Sequence, residues 1–112
     1  MDTHAAADRF GALAQPTRLT VLRLLVKAGP QGLNAGALAA SAEVPASTLS
    51  FHLKELQTAG LASSTRQGRQ IIYRAHYDGL RDLIQFLLED CCQSDPAICA
   101  PLVETVSTVS CQ

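Results

Sequence analysis

Residues 46–59 of this 112-residue chain read ASTLSFHLKELQTA and lie between Pro45 and Gly60. With successive residues about 100° apart, Leu49, Leu53 and Leu56 fall on one face, which predicts an amphipathic helix packed on a core. The opposite face carries small polar side chains, one aromatic and one basic: Ser47, Ser50, Phe51, Lys54 and Thr58. An exposed phenylalanine in this setting is unusual for a plain surface helix, so this face is a candidate binding surface.

Three further helices are predicted before this one. The Ala-rich residues 5–14 are weakly amphipathic, and a second helix opens at Pro16, whose missing N–H needs no partner in a first turn. Apolar residues recur in it at helical spacing until the Gly-Pro pair at 29–30 stops it. Asn34 can cap a short third helix, AGALAASA, and a tight turn at Glu43–Pro45 leads into the fourth.

A basic hairpin is predicted after the fourth helix. Residues 61–75, LASSTRQGRQIIYRA, alternate in polarity and indicate two strands that turn at Gln67-Gly68. The formal net charge is only −1, but four basic residues stand against one acid between Lys54 and Arg74. From residue 76 to the end, one arginine stands against six acids. This uneven distribution predicts a local anion-binding surface in the fourth helix and the hairpin.

A last helix is predicted from about Asp78 to Cys92. Its apolar stripe has helical spacing and consists of Leu80, Leu83, Ile84, Leu87 and Leu88, and the spacing continues to Cys91 and Cys92. The residues from 93 onward contain two prolines and show no helical period. We therefore expect one domain over residues 1–92 and a cysteine-containing tail over residues 93–112.

The order α-α-α-α-β-β-α predicts a mainly helical fold with a β-hairpin, namely a winged helix-turn-helix. Small side chains let the fourth helix approach base edges, while Lys54 can meet a phosphate and Phe51 a thymine methyl group. The hairpin arginines can then lie against the neighbouring groove or backbone as a wing. An all-α scaffold with an incidental hairpin is the less favoured alternative.

Three linked segments resemble the ArsR/SmtB family of winged-helix repressors: ALAQPTRLTVLRLL (12–25), STLSFHLKELQTAGL (47–61) and RQGRQIIYR (66–74). The resemblance covers roughly Asp8 to Cys92. It implies a homodimer paired mainly through the first and last helices, with double-stranded operator DNA as its partner. It also implies that the recognition helix begins near Ser47, and that the repressor leaves its operator when a metal or metalloid binds.

Two sets of contact residues follow from this interpretation. The expected DNA-binding residues lie on the fourth helix and around the hairpin tip: Ser47, Thr48, Ser50, Phe51, His52, Lys54, Arg66, Gln67 and Arg69. The expected dimer contacts are the stripe of the last helix: Leu80, Leu83, Ile84, Leu87 and Leu88. His52 lies beside the buried leucines, which favours a packing or phosphate-positioning role over a metal ligand.

Two inducer sites of similar regulators are not matched here. Arsenic-sensing members of the family carry a Cys-x-Val-Cys type motif in the short helix before the recognition helix. The corresponding positions here are Asn34, Gly36 and Ala39, none of which is a thiol. The zinc type uses histidines and acids of the last helix, and this helix has acids but no histidine after Tyr77. We expect both sites to be absent.

The remaining candidate is the segment CCQSDPAIC, with Cys91, Cys92 and Cys99. Soft ions prefer thiolate ligands, and arsenite binds three sulfurs. The Asp-Pro pair at 95–96 suits a turn that returns Cys99 to the other two thiols, as in some arsenite-responsive members that the chain resembles. We expect arsenite or antimonite as the inducer and Cys99 as the third ligand, with Cys111, a spare or auxiliary thiol, as the alternative third ligand. Burial of Cys91 and Cys92 as small core residues is the structural alternative.

Other functions stay open but are less favoured. A sensor of Cd, Pb or Hg, or of thiol oxidation, fits the same thiols, and a thiol-based metal carrier is a further alternative. A redox enzyme would need Cys-x-x-Cys, and no nucleophile set or phosphate loop stands out, so we expect neither an enzyme nor a catalytic cofactor. Without a signal peptide or an apolar run of about 18 residues, the expected location is the cytoplasm, with no membrane contact.

Overall fold

Helices and strands follow the predicted order, with one short strand added. The computed structural model describes residues 1–89, 97, 100–102 and 104–105. Its elements are α1 (Thr3–Leu13), α2 (Pro16–Ala28), β1 (Leu33–Asn34), α3 (Ala35–Ala42), α4 (Ala46–Thr58), β2 (Ala62–Gln67), β3 (Gln70–Ala75) and α5 (Tyr77–Leu88). A single 3-10 turn, Gly29–Gln31, joins α2 to β1.

Local capping explains where α2 and α3 begin and where α3 ends. Pro16 occupies the first turn of α2, and the side chain of Gln15 accepts a hydrogen bond from the Arg18 N–H at 2.8 Å. The Asn34 side chain caps α3 by accepting from the Ala37 N–H at 2.8 Å, as predicted. Glu43 ends α3 in the left-handed conformation, with φ of 58°, which makes the turn into α4 tight.

The centre of the core is built from aliphatic side chains of α2, α3, α4 and the bend before β2. Its largest fully buried members are Val21, Leu25, Leu38, Leu49, Leu53, Leu56 and Leu61. The predicted apolar stripe of α4 is therefore confirmed. Burying each leucine is worth about 1.5–3 kcal/mol, so this layer fixes α4 against α2 and α3 and determines which of its faces points outward.

The sheet has the order β1-β3-β2 and is antiparallel throughout. Gln67 pairs with Gln70, so the hairpin turns at Gly68-Arg69, one residue later than predicted. Gly68 has φ of 64°, as a two-residue hairpin loop requires of its first residue. β1 pairs Leu33 with Tyr73 and was missed in the sequence because two residues are too short to show alternation.

The end of α5 differs from the prediction. The helix stops at Leu88, and Glu89 has extended backbone angles, φ of −60° and ψ of 130°, whereas the sequence pattern predicted a helix to Cys92. Residues 97, 100–102 and 104–105 are helical, although no helical period is visible in this part of the sequence. The predicted tail boundary at residue 93 lies outside the described residues. Among the helices in the described part of the chain, none is long and apolar enough to cross a bilayer.

Candidate DNA-binding interface

The outward face of α4 carries the side chains that the sequence predicted to meet DNA. Ser47, Thr48, Ser50, Phe51 and Lys54 are all exposed, because the leucines between them face the core. The hydroxyl groups can donate to or accept from base edges, and Lys54 adds a positive charge at the same surface. The structure therefore presents these five side chains together on one side of the helix.

Phe51 is the most unusual member of this face, with 55% of its surface exposed. Two neighbours hold its ring. The Arg18 guanidinium carbon lies 5.4 Å from the ring centroid, within cation–π range. The His52 ring meets Phe51 edge-on, with centroids 5.7 Å apart and planes at 63°. The ring is thus supported by the protein while remaining accessible.

His52 is only 7% exposed, unlike the other predicted contact residues of α4. Its Nδ1 accepts a hydrogen bond from the Arg18 Nε–H at 3.1 Å. Because a guanidinium can only donate, Nδ1 carries no proton in this arrangement. His52 therefore packs and positions Arg18, which agrees with the packing role favoured from its place beside the leucines and not with a direct contact to a base.

Arg18 was missed by the sequence analysis. It lies in the first turn of α2, and its contacts with Phe51 and His52 span 33 and 34 positions of the chain. Helical periodicity describes neighbours within one helix and carries no information about such a crossing. The only signal was the position of Arg18 directly after Pro16-Thr17, at the start of the helix that packs on α4.

The wing consists of β2, β3 and their loop, and three of its predicted DNA-binding residues are exposed around the tip: Arg66, Gln67 and Arg69. Arg66 Nε donates to the Gly68 carbonyl oxygen at 3.3 Å, which keeps that side chain near the turn. Arg74 has a different role. It donates to the Pro30 carbonyl oxygen at 2.7 Å and to the Thr65 hydroxyl, so it connects β3 to β2 and to the turn before β1.

The wing and α4 are also joined directly. Gln57, in the last part of α4, donates from Nε2 to the Ser64 hydroxyl in β2 at 3.0 Å. This bond links α4 to β2, the strand that leads to the basic wing tip. This arrangement suits a duplex, where the helix can enter a groove and the tip can meet the flanking phosphates.

The apolar stripe of α5 divides between two environments. Leu83 is 3% exposed and belongs to the core of its own chain, so it is not available to a partner subunit. Leu80 and Leu88 are half-buried. Ile84 and Leu87 are 41% and 63% exposed, which is high for aliphatic residues on a helix with so regular a stripe. Of the five predicted dimer contacts, these two offer the most uncovered apolar surface.

The predicted thiol site, Cys91, Cys92 and Cys99, lies outside the described residues, as does Cys111. Within residues 1–89, 97, 100–102 and 104–105, no group of three or more histidine, cysteine or acidic side chains is arranged to hold a metal ion.

Comparison with known proteins identifies the family of this chain. The helix-turn-helix domain family matches residues 13–65. The chain is 30% identical over 84 residues to an HTH-type transcriptional regulator of Methanocaldococcus jannaschii, a match that covers 75% of this chain and 92% of that protein. It is 34% identical over 83 residues to the nodulation protein NolR of Rhizobium meliloti, covering 74% of this chain and 66% of NolR, just under two thirds.

Solved structures agree with the sequence relatives. An ArsR-like transcriptional regulator from Rhodococcus sp. RHA1 matches with a TM-score of 0.71 and 28% identity, covering 96% of both chains. A homodimeric winged helix-turn-helix DNA-binding domain from Mycobacterium bovis, a possible ArsR-family regulator, has a TM-score of 0.64 and 27% identity over 78% of this chain and 81% of that one. A possible transcriptional regulator for arsenical resistance matches with a TM-score of 0.63 and 30% identity, covering 92% and 97%. The chain belongs to the helix-turn-helix transcriptional regulators, within their ArsR-type winged-helix group.

Proposed function

We propose that this regulator is a repressor that binds operator DNA as a homodimer and releases it when thiolates coordinate arsenite or antimonite. The observation that carries the DNA-binding part is the outward face of α4, where Phe51 is 55% exposed among small polar residues. Leaving a phenylalanine in water has no benefit for a folded monomer, whereas it can pack on a thymine methyl group in the major groove.

The two parts of the interface have different tasks in this proposal. The face of α4 reads base edges, because its short side chains allow a close approach to the floor of the groove. Arg66 and Arg69 at the wing tip neutralise phosphates and so contribute affinity without sequence preference. Because Gln57 hydrogen-bonds to Ser64, α4 and the wing would meet the duplex together.

Dimerisation would supply the second half-site. Ile84 and Leu87 in α5, together with Phe10 in α1 at 42% exposure, leave apolar surface uncovered on the first and last helices. The homodimeric state of the similar M. bovis domain supports a homodimer here. A two-fold symmetric dimer presents two copies of α4 to successive major grooves, which is how helix-turn-helix dimers bind palindromic sites.

The inducer part of the proposal rests on the positions of three cysteines in the sequence. Cys91, Cys92 and Cys99 offer three soft ligands within nine residues, and arsenite prefers three thiolates. Similarity to a possible regulator for arsenical resistance supports this assignment. Two adjacent thiols can also be oxidised, so thiol oxidation is the second candidate signal, and it is separated from arsenite by working in the presence of a non-thiol reductant.

A binding titration tests the proposal. The purified chain is added to a labelled duplex that contains its own upstream region, and to a duplex of the same composition with scrambled order. We expect tighter binding to the first duplex and affinity that falls steeply as salt rises from about 50 to 200 mM. Arsenite should then release the operator. A chain that shows no salt-dependent binding to its upstream region is not the repressor proposed here.

A further inference from the structure

The exposed ring of Phe51 is held by a short chain of contacts that starts in the core. His52 is buried and its Nδ1 accepts from Arg18 Nε at 3.1 Å. Arg18 in turn lies 5.4 Å from the centroid of Phe51, on a backbone that Gln15 caps at 2.8 Å. An exposed side chain on a helix normally exchanges between rotamers, but here a cation and an imidazole edge restrict it.

Restricting an exposed aromatic residue has a consequence for binding. Immobilising a side chain at an interface costs entropy, and a residue that is already held in its bound position avoids most of that cost. The contact is then also specific, since a ring held in one position packs on a methyl group at one base pair and not on a range of positions. Both effects act on base preference and leave phosphate contacts unchanged.

We propose that Arg18 is a positioning residue that sets base preference by holding Phe51 against a thymine methyl group, with His52 holding Arg18. The inference rests on the proposed DNA-binding function and extends it to a residue of α2 outside the recognition helix. Arg18 acts through Phe51, so the two side chains should behave as one unit: once Phe51 is removed, changing Arg18 should no longer alter which base is preferred.

A simpler role for Arg18 would be a phosphate contact. Substitution of Arg18 by lysine distinguishes this role from the positioning of Phe51. Arg18→Lys keeps the positive charge but loses the planar guanidinium and its Nε–H. A phosphate contact depends mainly on the charge, so lysine would keep its contribution to the salt dependence of binding. Contacting the Phe51 ring while donating from Nε–H to His52 Nδ1 needs the planar guanidinium, so lysine should impair this pair of contacts.

The test uses the full chain and the duplex it binds most tightly in a selection from random sequences. Each thymine in the site is replaced in turn by uracil, which removes only the methyl group. The protein variants are Arg18→Lys, Phe51→Ala, their combination, His52→Asn and His52→Leu. Asparagine can offer an acceptor near the position of Nδ1, whereas leucine offers none. Arg23→Lys is the matched control, because Arg23 is exposed and lies about 140° around α2 from Arg18.

We expect the parent to lose affinity at one uracil position and Phe51→Ala to be insensitive there. Arg18→Lys should reduce the discrimination at that position by about 3- to 10-fold, with the salt dependence of binding unchanged. The combined variant should match Phe51→Ala, His52→Asn should resemble the parent, and His52→Leu should resemble Arg18→Lys. Circular dichroism melting identifies any variant that fails to fold, and Arg18→Lys carries the test if a His52 variant does.

Three results would overturn the inference while leaving DNA binding intact. Arg18→Lys could keep the full base preference of the parent, the losses of Arg18→Lys and Phe51→Ala could simply add, or Phe51→Ala could leave base preference unchanged. If the parent itself binds no duplex from the selection, the proposed function fails and this inference fails with it.

Discussion

Arg9 in α1 donates a hydrogen bond from Nη1 to the backbone oxygen of Gly79 in α5, across 2.7 Å. The Gly79 N–H is satisfied by His76 Nδ1, which accepts it at 3.1 Å and caps the helix. On its other side Gly79 meets the turn that follows α4, where a Cβ on Gly79 would collide with the Gly60 carbonyl oxygen. The backbone of Gly79 therefore contacts α1 through Arg9 and closely approaches the turn after α4.

Gly79→Ala should destabilise the fold. Its Cβ meets the backbone of Gly60 rather than a flexible side chain, so relief requires α5 to move away from the turn after α4, at a cost of about 1–3 kcal/mol or more. The matched control is Gly36→Ala in α3, where the nearest atom to the new Cβ is Asn34 Oδ1 at 3.4 Å, an ordinary contact. Urea unfolding should show a lower midpoint for Gly79→Ala and an unchanged or slightly higher one for Gly36→Ala. Equal stability of both variants would contradict the close approach.

The wing arginines should control affinity for DNA of any sequence. Arg66→Ala or Arg69→Ala should weaken operator and scrambled duplexes alike, and should lower the slope of log affinity against log salt by about 0.9 for each lost phosphate contact. Arg81→Ala is the control, since Arg81 is exposed on α5 and paired with Asp78 at 3.1 Å, away from the wing. Fluorescence anisotropy over a salt series measures the slope. A loss confined to the operator duplex would assign these arginines to base reading instead.

Much of the fold followed from periodicity, capping and turn residues. The leucine stripe of α4, the proline that opens α2 and the Asn34 cap are each decided within one turn of helix, so they could be predicted. The hairpin was predicted, but its turn was placed one residue early. Gln67 and Gln70 pair across the turn, and identical polar residues on both sides of Gly68 gave no sign of the register.

Most of the predictions that failed concern contacts between residues that are distant in sequence. Arg18 meets α4 because α2 crosses it, which no single-helix pattern reports. Leu83 and Leu87 fall on one stripe, yet Leu83 is 3% exposed and Leu87 63% exposed, because only part of that stripe reaches the core of the same chain. The end of α5 was also misjudged, since apolar spacing continues past Leu88 whereas Glu89 has extended backbone angles.

The burial of Leu83 and the exposure of Leu87 predict two distinct outcomes when a charged residue is introduced in α5. Leu87→Glu should leave each chain folded but yield monomers that no longer bind the operator, because the two half-sites need both subunits. Leu83→Glu should instead unfold the chain, since it places an unpaired carboxylate in the core. Gln85→Glu, an exposed position on the same helix, is the control and should remain dimeric. Sedimentation and circular dichroism separate these results. A parent that sediments as a monomer at micromolar concentration would contradict the dimer.

The thiol switch gives the last prediction. Arsenite that binds Cys91, Cys92 and Cys99 can release DNA only if it binds the DNA-free dimer more tightly than the DNA-bound one. A coupling of about 1–3 kcal/mol weakens operator affinity by about 5- to 150-fold. Serine is close in size but a poor ligand for a soft ion. Cys91→Ser, Cys92→Ser and Cys99→Ser should therefore bind the operator normally and fail to respond, whereas Cys111→Ser should respond like the parent.

Two measurements are made in a non-thiol reductant. Ultraviolet absorption from thiolate–arsenic bonds reports arsenite binding, and a parallel titration of the operator reports the release of DNA. Loss of the absorption and of the release in the same three variants would support one site that both binds and signals. If Cys111→Ser is the unresponsive variant and Cys99→Ser still responds, the third ligand is misassigned. Release by an oxidant, together with no response to arsenite in the reductant, would identify thiol oxidation as the signal. If all four single variants still release the operator with arsenite, none of the four thiols is required and the proposed three-thiolate switch is wrong.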